Sequence, residues 1–196
     1  MQERLSILVV TPDAKGAGSI VQGLRNFAAH DMKIMSWETG LDSYVTENRP
    51  DIVLVDLTGS SRDIMEEVTH ACGPMDRPVV IFIDRSEADR TRAAIEAGVS
   101  AYIVNGLQPG RIRPILEMAR ARFDMMQQIR NELEGARTAL EDRKVIDRAK
   151  TVLMQARGLD EQAAYTLMRK TAMDQGKRVA EIARQLVAAA DILISR

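Results

Sequence analysis

DRKVIDRAKTVLMQARGLDEQAAYTLMRKTAMDQGKRVAEIARQL, residues Asp142–Leu186, breaks into three short amphipathic helices that carry a patterned basic surface. In the first, Ile146, Ala149, Leu153 and Ala156 recur at three- and four-residue spacing and make one apolar face. Arg143, Lys150 and Arg157 fall seven apart on another face, which offers charge. Gly158 suits a helix-ending position, and Leu159, Asp160 and Glu161 read as an apolar staple, an N-cap and an acidic first turn. The second helix packs Ala164, Leu167, Met168 and Thr171, leaves Tyr165, Arg169 and Ala172 on a neighbouring stripe, and stops at Gly176. The third buries Val179, Ile182, Ala183 and Leu186, so the expected product is one small three-helix bundle over residues 141–196.

Charge is divided along the chain in a way that favours this end for nucleic acid. Residues 141–196 hold 11 Lys and Arg against 8 Asp and Glu, a net of +3, whereas residues 1–140 hold 16 against 20, a net of -4. A net of +3 is modest for gripping phosphate by attraction alone, so two copies held together would bind better than one.

A means of holding two copies lies just upstream. Residues 109–140 read as a long helix with Ile112, Ala119, Met126, Leu133 and Leu140 seven apart, and Ile115, Ile129 and Ala136 at the complementary heptad positions. Such a seam predicts a parallel coiled-coil homodimer; the alternative is a helix lying on its own domain, and Gly135, Ala119 and Ala136 weaken a coiled coil. Met118, Met125 and Met126 are packing residues here, since thioethers alone bind few metals tightly.

Residues 1–108 alternate apolar runs with helical stretches. The runs are Ser6–Val10, Lys33–Ser36, Ile52–Val55, Val79–Ile83 and Ala101–Val104, short, rich in Val and Ile and nearly continuous, as strands covered on both faces are. Their spacing predicts an α/β domain with a five-stranded, doubly wound, flavodoxin-like parallel sheet, whose ligand sites lie at the carboxyl ends of the strands. Those ends carry Thr11-Pro12-Asp13, Asp56, Ile83-Asp84 and Asn105-Gly106.

Other function classes find little footing. No apolar run is long enough to span a bilayer, and the Met1-Gln2-Glu3-Arg4 start leads straight into a strand rather than a signal peptide, so a cytoplasmic protein is expected. The single cysteine, Cys72, leaves no internal disulfide and no nucleophile with a nearby His; His30 and His70 show no zinc spacing. Gly16-Ala17-Gly18 lacks the longer phosphate-cradling pattern and its lysine. No constellation supports an enzyme, and no cofactor is expected. A DNA-binding regulator lacks a recognition-helix pattern, and a purely structural dimer would leave the basic stripe as a solvated face.

Ile146-Asp147-Arg148-Ala149-Lys150, Leu153-Met154, Gly158, Glu161, Ala164-Tyr165, Leu167, Arg169, Ala172-Met173 and Lys177, all in register, resemble the ANTAR domain of the AmiR and NasR class of transcription antitermination regulators. The resemblance implies that dimers grip paired stem-loops in nascent leader mRNA and keep a terminator hairpin from forming. It implies RNA contacts among Arg143, Arg148, Lys150, Arg157, Ala164, Tyr165, Arg169 and Lys177. Tyr165 is either a half-buried core aromatic or a platform for an unpaired loop base, and Ala164 and Ala172 either leave room for RNA or simply favour helix.

Asp51-Ile52-Val53-Leu54-Val55-Asp56 places Asp56 where two-component receiver domains, which the first half resembles, keep their phosphorylated aspartate. Phosphorylating a carboxylate needs an acidic pair holding a metal ion, a hydroxyl and a lysine to neutralise the developing charge. Here Thr11 and Pro12 stand at the acidic pair, Ile83 at the hydroxyl and Asn105 at the lysine, leaving Asp13 and Asp84 as partial substitutes. A pseudo-receiver follows, with Mg at Asp56 only if that pocket works. Gly98-Val99-Ser100-Ala101-Tyr102-Ile103-Val104, Gly106-Leu107-Gln108, Arg111, Pro114-Ile115-Leu116 and Ala121-Arg122-Phe123 are similar to the NasT-like, nitrate- and nitrite-responsive subfamily. That similarity implies sequestration by a soluble NasS-like nitrate-binding sensor protein. Phosphorylation control, or an amide-responsive member of the AmiR type, is the alternative.

Overall fold

A computed structural model describes residues 5–12, 22–24, 31–38, 40–58, 62–84, 88–104 and 109–194. They divide into two compact units, residues 1–127 and 128–196. Asp13 and Asn105 lie outside the described residues.

The first unit is built on five parallel strands, β1 (Ser6–Val10), β2 (Asp31–Met35), β3 (Ile52–Asp56), β4 (Val79–Ile83) and β5 (Ala101–Val104), in the order β2-β1-β3-β4-β5. This is the expected doubly wound arrangement, with helices α1 (Leu41–Asn48), α2 (Arg62–Cys72) and α3 (Ala88–Glu96) in the crossovers. The continuous apolar runs arise because both faces are covered: every residue of Val79–Ile83 is buried. Alternate side chains enter two cores. Leu8, Val10, Val53, Val55, Val79 and Ile81 meet α1 and α2, while Ile7, Val9, Ile52, Leu54, Val80 and Phe82 meet Leu24 and the start of the long helix. Each fully buried side chain of this kind contributes about 1.5–3 kcal/mol.

The long helix α4 runs unbroken over Ile112–Arg157. No boundary separates the expected coiled-coil segment from the first helix of the bundle, because after Pro114 in the first turn no Pro or positive-φ Gly interrupts it; Gly135 sits in ordinary helical conformation with open space around it. The heptad seam is divided accordingly. Ile112 and Ala119 are fully buried against the sheet of their own unit, together with Leu116, and are corrected from dimer seam to intramolecular core. Met126, Ile129, Leu133 and Leu140 are exposed.

The second unit joins the later part of α4 to α5 (Glu161–Gln175) and α6 (Val179–Ile194). The turn signals behave as their chemistry dictates. Gly158 (φ 66) and Gly176 (φ 62) take the left-handed conformation that ends each helix, and Asp160 caps α5 by accepting from the Ala163 N–H at 2.7 Å. Ala149 and Leu153 of α4, Ala164, Met168 and Ala172 of α5, and Ile182, Ala183 and Val187 of α6 form the core.

Candidate nucleic-acid interface

Burial sorts the residues expected to touch RNA into three groups. Ala164 is fully buried between helices and is corrected to a core residue: its small side chain lets α5 pack closely, and no ligand reaches it in this fold. Ala172, expected on the outer stripe, is buried too, while Ala156, expected on the apolar face of α4, is exposed. Tyr165, Arg169 and Met173 project outward from α5 one turn apart, with Thr166 and Lys170 exposed beside them. Met173, 73% exposed, lies on this stripe although the sequence marked it only as part of the family pattern and not as an RNA contact; its place four residues after Arg169 was the available signal.

The basic residues of α4 differ from one another. Arg143 and Arg157 are exposed. Arg148 pairs with Asp191 of α6 at 2.6 Å. Lys150 is largely covered, its side chain 17% exposed, and its Nζ lies 2.7 Å from both Asp147 Oδ1 and Glu161 Oε1. The two carboxylates that take its hydrogen bonds raise the Lys150 pKa, and the Lys150 ammonium in turn lowers that of Asp147. Lys150, Arg143, Arg178, Met154 and Glu161 share a groove of about 890 Å³. Lys177 donates to the Gln175 side chain at 3.0 Å.

One polar cluster was not anticipated. Asp142, 8% exposed, accepts from Arg178 at 2.7 Å and also from Arg184, tying α4 to the N-terminal end of α6. Arg178 additionally starts α6, its backbone N–H bonding Glu181 Oε2 at 3.1 Å as half of a capping box. No local sequence pattern announces pairs 36 and 42 residues apart.

The strand ends of the first unit carry the described residues of the receiver-like pocket. Thr11 is buried with its N–H on the Met35 carbonyl at 3.1 Å, Pro12 and Asp84 are exposed, and the Ile83 side chain belongs to the core. Asp56 Oδ1 accepts from both the backbone and the hydroxyl of Thr58. The residues at the metal position are a hydroxyl and an imino acid, which do not fit a magnesium ion, and among the described residues no three acidic, His or Cys side chains gather around a metal position.

Residues 134–187 match the family model of the ANTAR domain, starting inside α4 before Leu140. The chain is 30% identical over 138 residues to the transcriptional regulatory protein PdtaR of Mycobacterium tuberculosis H37Rv, spanning 69% of this chain and 67% of that one.

This chain belongs to the ANTAR family.

It is an antitermination-class regulator with a receiver-like N-terminal domain. Over 75 residues it is 40% identical to the nitrate regulatory protein of Klebsiella oxytoca, a match covering 38% of this chain and 19% of the relative. The crystal structure of NtrX from Brucella abortus superposes with a TM-score of 0.52 at 18% identity over 66% of this chain and 29% of that one, a likeness of fold alone. Among the described residues no helix is long and apolar enough to cross a membrane.

Proposed function

We propose that this ANTAR regulator acts in the cytoplasm as a homodimer that binds stem-loops of nascent leader mRNA and prevents terminator formation at nitrate or nitrite assimilation genes. The observation that carries the reading is the outer stripe of α5, where Tyr165, Arg169 and Met173 combine an aromatic face, a guanidinium and a soft apolar side chain within three turns. That set suits unstacked loop bases, which bind by stacking, together with the phosphates that flank them.

Dimerisation rests on the exposed part of the α4 seam, Met126, Ile129, Leu133 and Leu140. In a parallel pair Glu132 would face the partner subunit's Arg137, whereas an antiparallel pair would set Arg130, Arg137 and Lys144 against their own kind. The degenerate pocket around Asp56 supports control by a partner rather than by phosphate. A nitrate-binding sensor is the partner class we favour, supported by the name of the Klebsiella relative and by the residues shared with nitrate-responsive members.

Retention of leader RNA carrying paired stem-loops, compared with duplex DNA of the same sequence, tests the reading. The wild type should prefer the RNA, and joint replacement of Tyr165 and Arg169 by Ala should abolish retention with helicity intact. Preference for the duplex, or retention insensitive to both changes, rejects it. Release of the dimer from a co-purifying solute-binding protein by nitrate, and not by short amides, tests the ligand; the opposite response assigns an amide.

A further inference from the structure

Lys150 looks from sequence like one more phosphate contact, but its surroundings argue for another job. Its ammonium has three donors, and two already rest on the carboxylates of Asp147 and Glu161 at 2.7 Å each. The lysine and its two carboxylates together carry no positive charge to offer phosphate at neutral pH, and the cations left to do so in this groove are Arg143 and Arg178. The three residues also differ in exposure: Lys150 is mostly covered, whereas Asp147 and Glu161 are 55% and 71% exposed.

The position of Glu161 gives the arrangement its consequence. Glu161 is the first residue of α5, and Tyr165, Arg169 and Met173 follow it at successive intervals of four. Residues so spaced occupy neighbouring places on one helix surface. Whatever fixes the rotation of α5 at Glu161 therefore fixes where the outer stripe points. The α4–α5 connection, Gly158 to Asp160, is short, so a contact from Lys150 across it acts on the start of α5 directly.

We infer that Lys150 is a positioning residue, a clamp that holds Glu161 and thereby aims the Tyr165–Arg169–Met173 stripe, and that it makes no phosphate contact of its own. The inference rests on the RNA-binding reading above and refines it. It opposes the direct-contact alternative in the sign of one effect. If Lys150 contacts phosphate, Glu161 competes with the RNA for it, and Glu161→Gln tightens binding. If Lys150 works through Glu161, the same change weakens binding.

The experiment measures leader-RNA affinity of the full chain as a function of salt for the wild type, Glu161→Gln, Lys150→Met, the double variant, and the exchanged pair Lys150→Glu with Glu161→Lys. Wild-type retention decides the RNA reading by itself, and its absence ends both proposals. Given retention, each single change should weaken binding about three- to fivefold, the upper part of the range for an ion pair of this exposure, and the double variant should be no worse than either. The salt slope of Lys150→Met should match the wild type, whereas Arg169→Ala should flatten it by about one. The exchanged pair should recover part of the affinity lost by Lys150→Glu alone, the remainder being withheld by Asp147, which then faces a second carboxylate. Unchanged or tighter binding by Glu161→Gln, or a slope lowered by about one in Lys150→Met, overturns the inference while leaving the RNA reading standing. Far-UV ellipticity confirms that each variant is folded.

Discussion

The hydroxyl of Thr58 donates to Asp56 Oδ1 at 2.5 Å, and the Thr58 backbone N–H reaches the same oxygen at 3.1 Å. One oxygen of the carboxylate at the end of β3 is thus committed to its own loop, as Asp side chains in turns commonly are. Phosphoryl transfer to it would also need a metal and a cation to neutralise the developing charge, and Thr11, Pro12 and Ile83 supply neither. Incubation with acetyl phosphate and magnesium should leave the intact mass unchanged. A stoichiometric phosphoryl adduct that disappears in Asp56→Asn would show that the pocket still works.

Much of this architecture is written in local pattern, and what is not was decided by distance. Val79–Ile83 reads as a strand covered on both faces because it has no polar residue, and Gly158, Asp160 and Gly176 mark helix ends because few other residues suit those conformations. The α4 heptads were legible as an apolar face, but periodicity cannot say what covers it. For Ile112 and Ala119 the cover is the sheet of the same chain, and Leu133 is left exposed among the described residues. Alanines were misplaced in both directions, Ala172 inward and Ala156 outward, since a methyl group carries little periodic signal. Glu161 reaches Lys150, and Arg178 and Arg184 reach Asp142, from beyond α4, so sequence spacing showed their charge and not its use.

Asp142 should matter to the second unit beyond its single charge. It is the shared acceptor for Arg178 and Arg184, and charge-assisted bonds of this sort contribute about 1.5–3 kcal/mol. Because the two arginine side chains are 69% and 49% exposed and regain water when released, the low end applies. Asp142→Ala should therefore speed amide exchange at Ile182 and Ala183 by roughly tenfold, with little change at the first-unit sheet. Exchange at α6 equal to wild type would show that the cluster adds nothing.

Cys72 should be inert while the fold holds. It sits fully buried among Met65, Val68 and the β-strand side chains, and burial pushes its thiol up to about 12, with Arg77 only partly opposing this. Since thiolate is the reactive form, an aromatic disulfide reagent at mildly alkaline pH should find no thiol in the native chain and one after denaturation. The raised value also sets a sign: the unfolded chain loses this proton first as pH climbs above 9.0, so the thiol's part of the stability falls from there upward. Prompt reaction of the folded protein would contradict the burial.

The clamp at Lys150 leaves a titration signature that needs no RNA. The hydrogen bond from Lys150 is the largest influence holding the Asp147 carboxyl below its ordinary value, with Arg143 adding a smaller attraction. A depressed carboxylate contributes stability that is fully present above the unfolded value, about 3.9, and is lost as pH falls through the lower folded value. Lys150 behaves in mirror image: its raised value gives a contribution present below about 10.4 and lost only as pH rises through the folded one. The contact is therefore intact across the neutral range and opens at either extreme. Carboxyl carbon shifts followed by NMR should place the Asp147 midpoint below the ordinary aspartate range, and Lys150→Met should return it there. A midpoint that Lys150→Met does not move would mean the ammonium is not on Asp147 in solution, and the anchoring of α5 through the same nitrogen would lose its basis.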